Sequence, residues 1–254
     1  MNRPTISVCL TIYDRTPEVL TKVFDSLDHQ AHDQLVVVLD RSPRKVNDWV
    51  RDYLFKDDRA EIVEIAGDPG WRGPAVAWNT AFARVKSELV YCLSSETIQA
   101  PCNVSKARDL LQGKPSILFG KAECGPVCPG EVAWNDGTPG SLLCDSQHPR
   151  PLGFIWAGPM WAVRAMGGYD EGFMAGFWYD DNAFFYEAWK LGLPFLFTDD
   201  IYGLHQHHER AELNEDGIRR NLDYLCEKYG SLAATAINPS SVEHGKGWCK
   251  WVNR

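Results

Sequence analysis

No apolar run in this sequence approaches 18 residues, so nothing in it reads as a membrane-spanning helix. The opening "MNRPTISVCL" lacks the long apolar core of a secretory signal, and the expected location is the cytoplasm. Basic charge is not in excess. The 26 Lys and Arg residues stand against 34 Asp and Glu, a formal charge of −8. That balance argues against a protein that grips phosphate backbones through a broad positive field, while leaving room for a local basic patch. Internal repeats and low-complexity tracts are absent. Standard zinc spacing is absent too, although there are eight cysteines. Cys124, Cys128 and Cys144 lie in a Gly/Pro-rich stretch near His148, but C-x3-C followed by a distant third Cys is not a zinc signature, and free thiols are the simpler reading. Cys9 and Cys92 sit inside apolar runs as small core residues.

What is present is a regular alternation. "ISVCLTI" (6–12) reads as a buried strand. Thr16-Pro17-Glu18 then opens a helix with a hydroxyl cap, proline at the first position and an acid in the first turn. Val19, Leu20, Val23, Phe24 and Leu27 form its apolar stripe. "QLVVVLD" (34–40), "EIVEIAG" (61–67) and "LVYCLS" (89–94) read as further strands. Helices are expected around Val46, Trp49, Val50, Tyr53 and Leu54, and over 75–86. Strands that are apolar throughout and separated by helices predict an α/β fold with a mostly parallel central sheet between two helical layers. Ligands in such sheets bind at the C-terminal strand edge, near a topological switch point. Polar tips fall there: Tyr13-Asp14-Arg15, Asp40, and Ser94-Ser95-Glu96.

The second half is less regular. Residues 122–151 read as a long Gly/Pro/Cys-rich loop. "GFIWAGPMWAVRA" (153–165) suggests a strand pair or hairpin with exposed aromatics. "DDNAFFYEAWKLG" (180–192) is a helix that begins with two acids and ends at Gly192. "PFLFTDD" is a strand, "LHQHHER" a loop, and 212–229 a charged helix. Three polar clusters stand out: Asp40 with residues 94–97, Asp180-Asp181, and His205 with His207 and His208. Each has an ordinary explanation. An acidic pair at a helix start complements the helix dipole, and a lone Glu or a His-rich loop is commonly just solvated. Their co-occurrence is what suggests a cleft, because carboxylate and imidazole groups together suit a divalent ion and a further carboxylate suits a general base.

The ordered pattern resembles the nucleotide-sugar glycosyltransferases of the GT-A fold, especially the family 2 type. "ISVCLTIYDRTPEVLTKVFDSL" is similar to that family's opening strand and helix, "VVVLDRS" to its "VVDDGS" element, and "GPAVAWNTAFARVKSELVYCLSSE" to its "ARN…DxD" run. "AGPMWAVRAMGGYDEGFMAGFWYDDNAFFYEAWKLG" resembles a "GGFDE…ED" segment shared with galactosyltransferases and chondroitin-polymerase-like enzymes, and "LHQ" a late metal-binding element. The resemblance implies a Rossmann-like α/β/α sandwich over residues 1–230. Residues 1–100 would bind the nucleotide-sugar, residues 101–210 would hold the acceptor and catalytic groups, and 231–254 would form a tail. It implies transfer of a sugar from a nucleotide-diphosphate sugar, UDP-linked by expectation, to an acceptor hydroxyl by an inverting, metal-assisted displacement.

Residue by residue, the resemblance implies that Thr11, Tyr13, Arg15, Asp40, Arg72, Ser94, Ser95 and Glu96 line the donor, with Arg72 on the diphosphate. Glu96 and His205 would hold Mn²⁺ or Mg²⁺. Asp181 would be the general base and Asp180 would orient the acceptor. Trp156 and Trp161 would stack on sugar. The departures are specific. The usual DxD is Ser94-Ser95-Glu96, and Trp78 stands where the family has Arg. A catalytically degenerate domain that binds a glycan or partner, and a metal-independent or retaining transferase, stay open as alternatives. The acceptor, whether saccharide, protein, lipid carrier or modified nucleic acid, is not fixed by these residues.

Overall fold

The apolar runs form strands, and the amphipathic runs cover them. A computed structural model describes residues 3–28, 30–67, 72–124, 142–144, 146, 151–206, 214–230 and 233. Its first half is β1 (Ile6–Ile12), α1 (Pro17–Asp28), β2 (Gln34–Asp40), α2 (Arg44–Leu54), β3 (Ala60–Ile65), α3 (Ala75–Arg84) and β4 (Leu89–Ser94), the alternation that the sequence predicts. β5 (Thr97–Gln99), α4 (Asn103–Leu111), β6 (Ile117–Cys124) and β7 (Leu142–Cys144) follow. Then come β8 (Ile155–Pro159), α5 (Met160–Met166), a 3-10 helix (Glu171–Ala175), α6 (Asp180–Lys190), β9 (Phe195–His205) and α7 (Glu215–Tyr229). No described helix is long and apolar enough to cross a membrane.

One nine-stranded sheet runs through both halves in the order β3-β2-β1-β4-β8-β6-β9-β5, with β7 beside β6. β3, β2, β1 and β4 are mutually parallel, β6 and β9 are parallel to each other, and β8, β7 and β5 run against their neighbours, so six of the nine strands point one way. The sheet is thus mostly parallel. Alternate residues explain why these strands are apolar throughout. Cys9, Val36, Val38, Val90 and Cys92 face a core beneath α3 and α6. Val8, Leu10, Val37, Leu39, Tyr91 and Leu93 face a second core beneath α1, α2 and α4. A strand buried on both faces cannot alternate with polar residues, and each such side chain contributes about 1.5–3 kcal/mol on burial.

Two sequence expectations change here. Residues 153–165 are not a hairpin. One strand, β8, passes directly into α5 at Met160, and Gly167 in the left-handed region (φ +80) closes that helix after Met166. The "LHQ" segment is not a loop start either: β9 continues through His205. The expected loop over 122–151 includes the end of β6 and all of β7. Cys128, His148, His207, His208 and the tail from 234 onward lie outside the described residues, as do the side chains of Cys124 and Cys144.

Candidate active site at the sheet's switch point

The chain lays down β1, β2 and β3 in one direction, then returns to place β4 on the other side of β1. The crevice between the carboxyl ends of β1 and β4 is the switch point, and Thr11 on β1 is in register with Ser94 on β4. The turns that leave β1 and β2 are tight. Asp14 (φ +40) and Arg41 (φ +54) both hold left-handed backbone, which non-glycine residues adopt only where the surroundings hold them there. Ser42 Oγ donates to the Ile12 carbonyl at 2.8 Å and ties the turn after β2 to the end of β1.

Glu96 lies in the turn after β4 and is buried. Its carboxylate accepts from Arg15 Nε, from Ser94 Oγ at 2.7 Å and from Ser95 Oγ at 3.0 Å. β5 starts immediately afterwards and pairs with the last residues of β9, Thr97 opposite His205. The Gln206 N–H donates to the Glu96 carbonyl at 2.9 Å. Residues more than a hundred positions apart therefore meet at this edge because β9 is long enough to reach it. One strand over, Asp40 is buried and paired with Arg72, whose Nε lies 3.2 and 3.1 Å from the two carboxylate oxygens and whose Nη2 lies 2.5 Å from Oδ1. Arg72 is thus on Asp40. It is held there in part by the neighbouring Gly73, whose N–H donates to the Met174 carbonyl at 3.1 Å.

The acidic pair enters from the second half. Trp178 (φ +64) and Tyr179 (φ +69) form a left-handed step before α6. Asn221 of α7 clamps that step, donating to the Trp178 and Phe173 carbonyls at 3.0 Å each. The step delivers Asp180 and Asp181 into the first turn of α6. Asp181 Oδ2 accepts from the Gly153 N–H at 2.9 Å, and Oδ1 from the Tyr169 hydroxyl at 3.0 Å. The next residue, Phe154, accepts from the Ser94 N–H at 3.1 Å through its carbonyl, and its ring meets His205 edge-on at 5.1 Å. The dipeptide Gly153-Phe154 is the link that joins Asp181, Ser94 and His205 in one crevice.

Both acids keep some solvent exposure while standing in dense surroundings. Burial, and then the Asp181 charge, push Asp180 up to about 7. Burial also raises Asp181, against the two hydrogen bonds that favour its ionised form. Two adjacent carboxyls in such dense surroundings titrate as a pair, so one proton remains on the pair until close to neutral pH, held mainly by Asp180.

Not every expected residue belongs here. Trp156 is fully buried among Phe82, Phe184 and Phe185, so no ring face is open to a sugar. Trp161 is 54% exposed, but it follows Pro159, which pairs with Leu89 at the start of β4, and so stands at the opposite edge of the sheet. Trp78, in the position of the family's Arg, packs against Phe82 and Tyr169 in the core. Sequence reasoning missed Gly153, Tyr169 and Gln206. Nothing in one sequence distinguishes them from ordinary loop and core residues.

The described donor set does not fit a divalent ion as it stands. At least three of the roughly four lone-pair directions of the Glu96 carboxylate are taken, one of them by a cation. Among the described residues, no group of three or more His, Cys, Asp or Glu side chains is placed to hold a metal.

Two solved structures share this fold. One is a mannosyltransferase, PcManGT, from Pyrobaculum calidifontis, in complex with GDP-Man and Mn²⁺, with a TM-score of 0.60 and 16% identity over 89% of this chain. The other is GalNAc-T7 with UDP, GalNAc and Mn²⁺, with a TM-score of 0.67 and 11% identity over 91% of this chain. This chain spans 65% of the first and 50% of the second. No curated protein matches it. The sequence pattern described as Glycosyl transferase family 2 matches residues 7–139, just over half of the sequence, at the strands and turns that build the crevice, and the chain belongs to that family.

Proposed function

We propose that the protein transfers a sugar from a nucleoside-diphosphate sugar to an acceptor hydroxyl at this crevice. The observation that carries the reading is the convergence of the Arg15 guanidinium, at the Ser94–Glu96 turn, and a raised carboxyl pair through Gly153-Phe154. The Asp40–Arg72 pair presents an acceptor beside donors. That arrangement suits the uracil edge, where an imide N–H stands beside a carbonyl. Thr11 and Tyr13 line the same edge for the nucleoside.

In the reaction, the acceptor oxygen forms a bond to the anomeric carbon as the bond from that carbon to the β-phosphate oxygen breaks. The electron pair leaves with the nucleoside diphosphate, and the acceptor proton passes to Asp181. Asp181 is suited to this step: Tyr169 and Gly153 fix its orientation, each oxygen keeps a further lone pair, and burial makes it more basic than a surface carboxylate. Asp180 beside it orients the acceptor and strengthens Asp181 as a base whenever it is itself ionised. A direct displacement inverts the anomeric centre.

The reading is tested by thermal shift and calorimetry against UDP-, GDP- and TDP-sugars, followed by NMR of the product anomer. UDP should bind most tightly and the anomer should invert. Failure of every nucleotide to bind refutes the donor site. Retention of configuration refutes the single displacement.

A further inference from the structure

We infer that the Arg15 guanidinium, rather than a divalent ion, carries the charge that meets the donor diphosphate, so that donor binding is independent of metal. The inference rests on the nucleotide-sugar reading above. Arg15 leaves the turn after β1 at the switch point, and its guanidinium is fixed at two places. Nε donates to Glu96, and Nη1 donates to the Tyr13 carbonyl at 3.1 Å and to the Asp14 carbonyl at 3.4 Å. Nη2 has no hydrogen-bond partner among the described residues, and the side chain keeps about a fifth of its surface in solvent. An arginine held at one side with a free terminal N–H pair at the other is arranged to receive an anion.

Three further features agree. Ser94 replaces a carboxylate with a hydroxyl that is spent on Glu96 itself at 2.7 Å, so this edge holds one negative charge where a divalent ion would draw on two. Glu96 is buried, and its carboxylate is compensated by the Arg15 guanidinium together with two hydroxyls, the pairing that a buried carboxylate requires. Among the described residues, the imidazole at this edge is His205, which packs its ring edge-on against Phe154. A guanidinium positioned in this way can take the charge that develops on the departing diphosphate, because a preorganised cation acts there without reorganisation.

The experiment is calorimetry of the full chain with UDP and with uridine, each in EDTA and in Mn²⁺, on the wild type, Arg15→Gln and Arg15→Lys. Wild type should bind UDP with the same Kd in EDTA and in Mn²⁺. Arg15→Gln should weaken UDP roughly tenfold or more while leaving uridine unchanged, since one charge-assisted contact is lost and the nucleoside subsite is not. Arg15→Lys should keep part of the UDP affinity. The uridine arm also reports that the variants are folded. UDP affinity that collapses in EDTA and returns with Mn²⁺ overturns the inference and leaves the donor site standing. So does an Arg15→Gln variant that weakens uridine as much as UDP, or that leaves UDP unchanged. If neither UDP nor uridine binds in any condition, the proposed donor site falls together with it.

Discussion

Replacing Gly153 with alanine should disable catalysis while leaving the nucleotide subsite intact. A Cβ at this position would lie 2.9 Å from both carboxylate oxygens of Asp181 and 3.2 Å from its Cγ. Ordinary contact requires about 3.5 Å or more, so the carboxyl must retreat by roughly 0.5–1 Å or the loop must shift by as much. Gly153 does not hold left-handed backbone, so alanine brings no conformational strain and the effect comes from the close approach alone. A displacement of that size at a general base costs about 100-fold in turnover, near 2.7 kcal/mol of barrier. Overpacking at a partly exposed loop costs stability at the low end of about 1–3 kcal/mol, a Tm loss of a few degrees. The assay is kcat with UDP-sugar donor, UDP affinity by calorimetry and Tm on the same preparation. Wild-type kcat in Gly153→Ala would refute the placement of Asp181, and equal loss of kcat and UDP binding would show that the residue supports the donor site instead.

Asp180→Asn should remove the acid limb of the pH–rate profile near 7, because Asp180, pushed up to about 7 by burial and by the Asp181 charge, is the group of the pair that ionises there; a limb that persists unchanged refutes the pairing. The same variant should be more stable than wild type at pH 8 and less distinguishable from it at pH 5. The folded carboxyl keeps its proton up to about 7 while an unfolded one loses it near 4, so stability falls as pH rises across that window, and asparagine does not titrate. Arg72→Met, which leaves buried Asp40 without its cation, should lower Tm by an amount corresponding to a few kcal/mol and weaken uridine binding; unchanged uridine affinity would remove the pair from base recognition. Trp161→Ala should leave donor affinity and kcat alone, since the ring stands at the far edge of the sheet, and a loss of more than about tenfold in kcat would bring it back into the site.

The parts of the fold that are local in sequence were legible. Continuous apolar runs such as "LVVVL" have one physical reading, a strand covered on both faces, and the Thr16-Pro17-Glu18 cap states where α1 begins. The positions of Glu96, His205 and Arg15 at one strand edge followed from topology and family resemblance. The partners did not. Arg72 and Asp40 are 32 residues apart, Arg15 and Glu96 81 apart, and ion pairs of that separation leave no periodicity to read. Trp156 and Trp161 were misassigned because an aromatic side chain looks the same in sequence whether a core or a sugar covers it, and only the direction of β8 decides. α4 and β6 passed unread since "NVSKARDLL" and "ILFGKAEC" are short segments with no strong cap.

The pairing of β5 with the end of β9 has a consequence for how the protein comes into being. The turn that carries Ser94, Ser95 and Glu96 emerges early in synthesis, but the strand that fixes it arrives only with residue 205. Pairings of such long sequence separation form slowly. A nascent chain that ends anywhere before β9 therefore has the residues of the first four strands but lacks the pairing that supports the Ser94–Glu96 turn. Competence to bind donor should appear late and abruptly during translation, and ribosome-stalled chains ending before and after β9 would differ in nucleotide binding far more than in secondary structure.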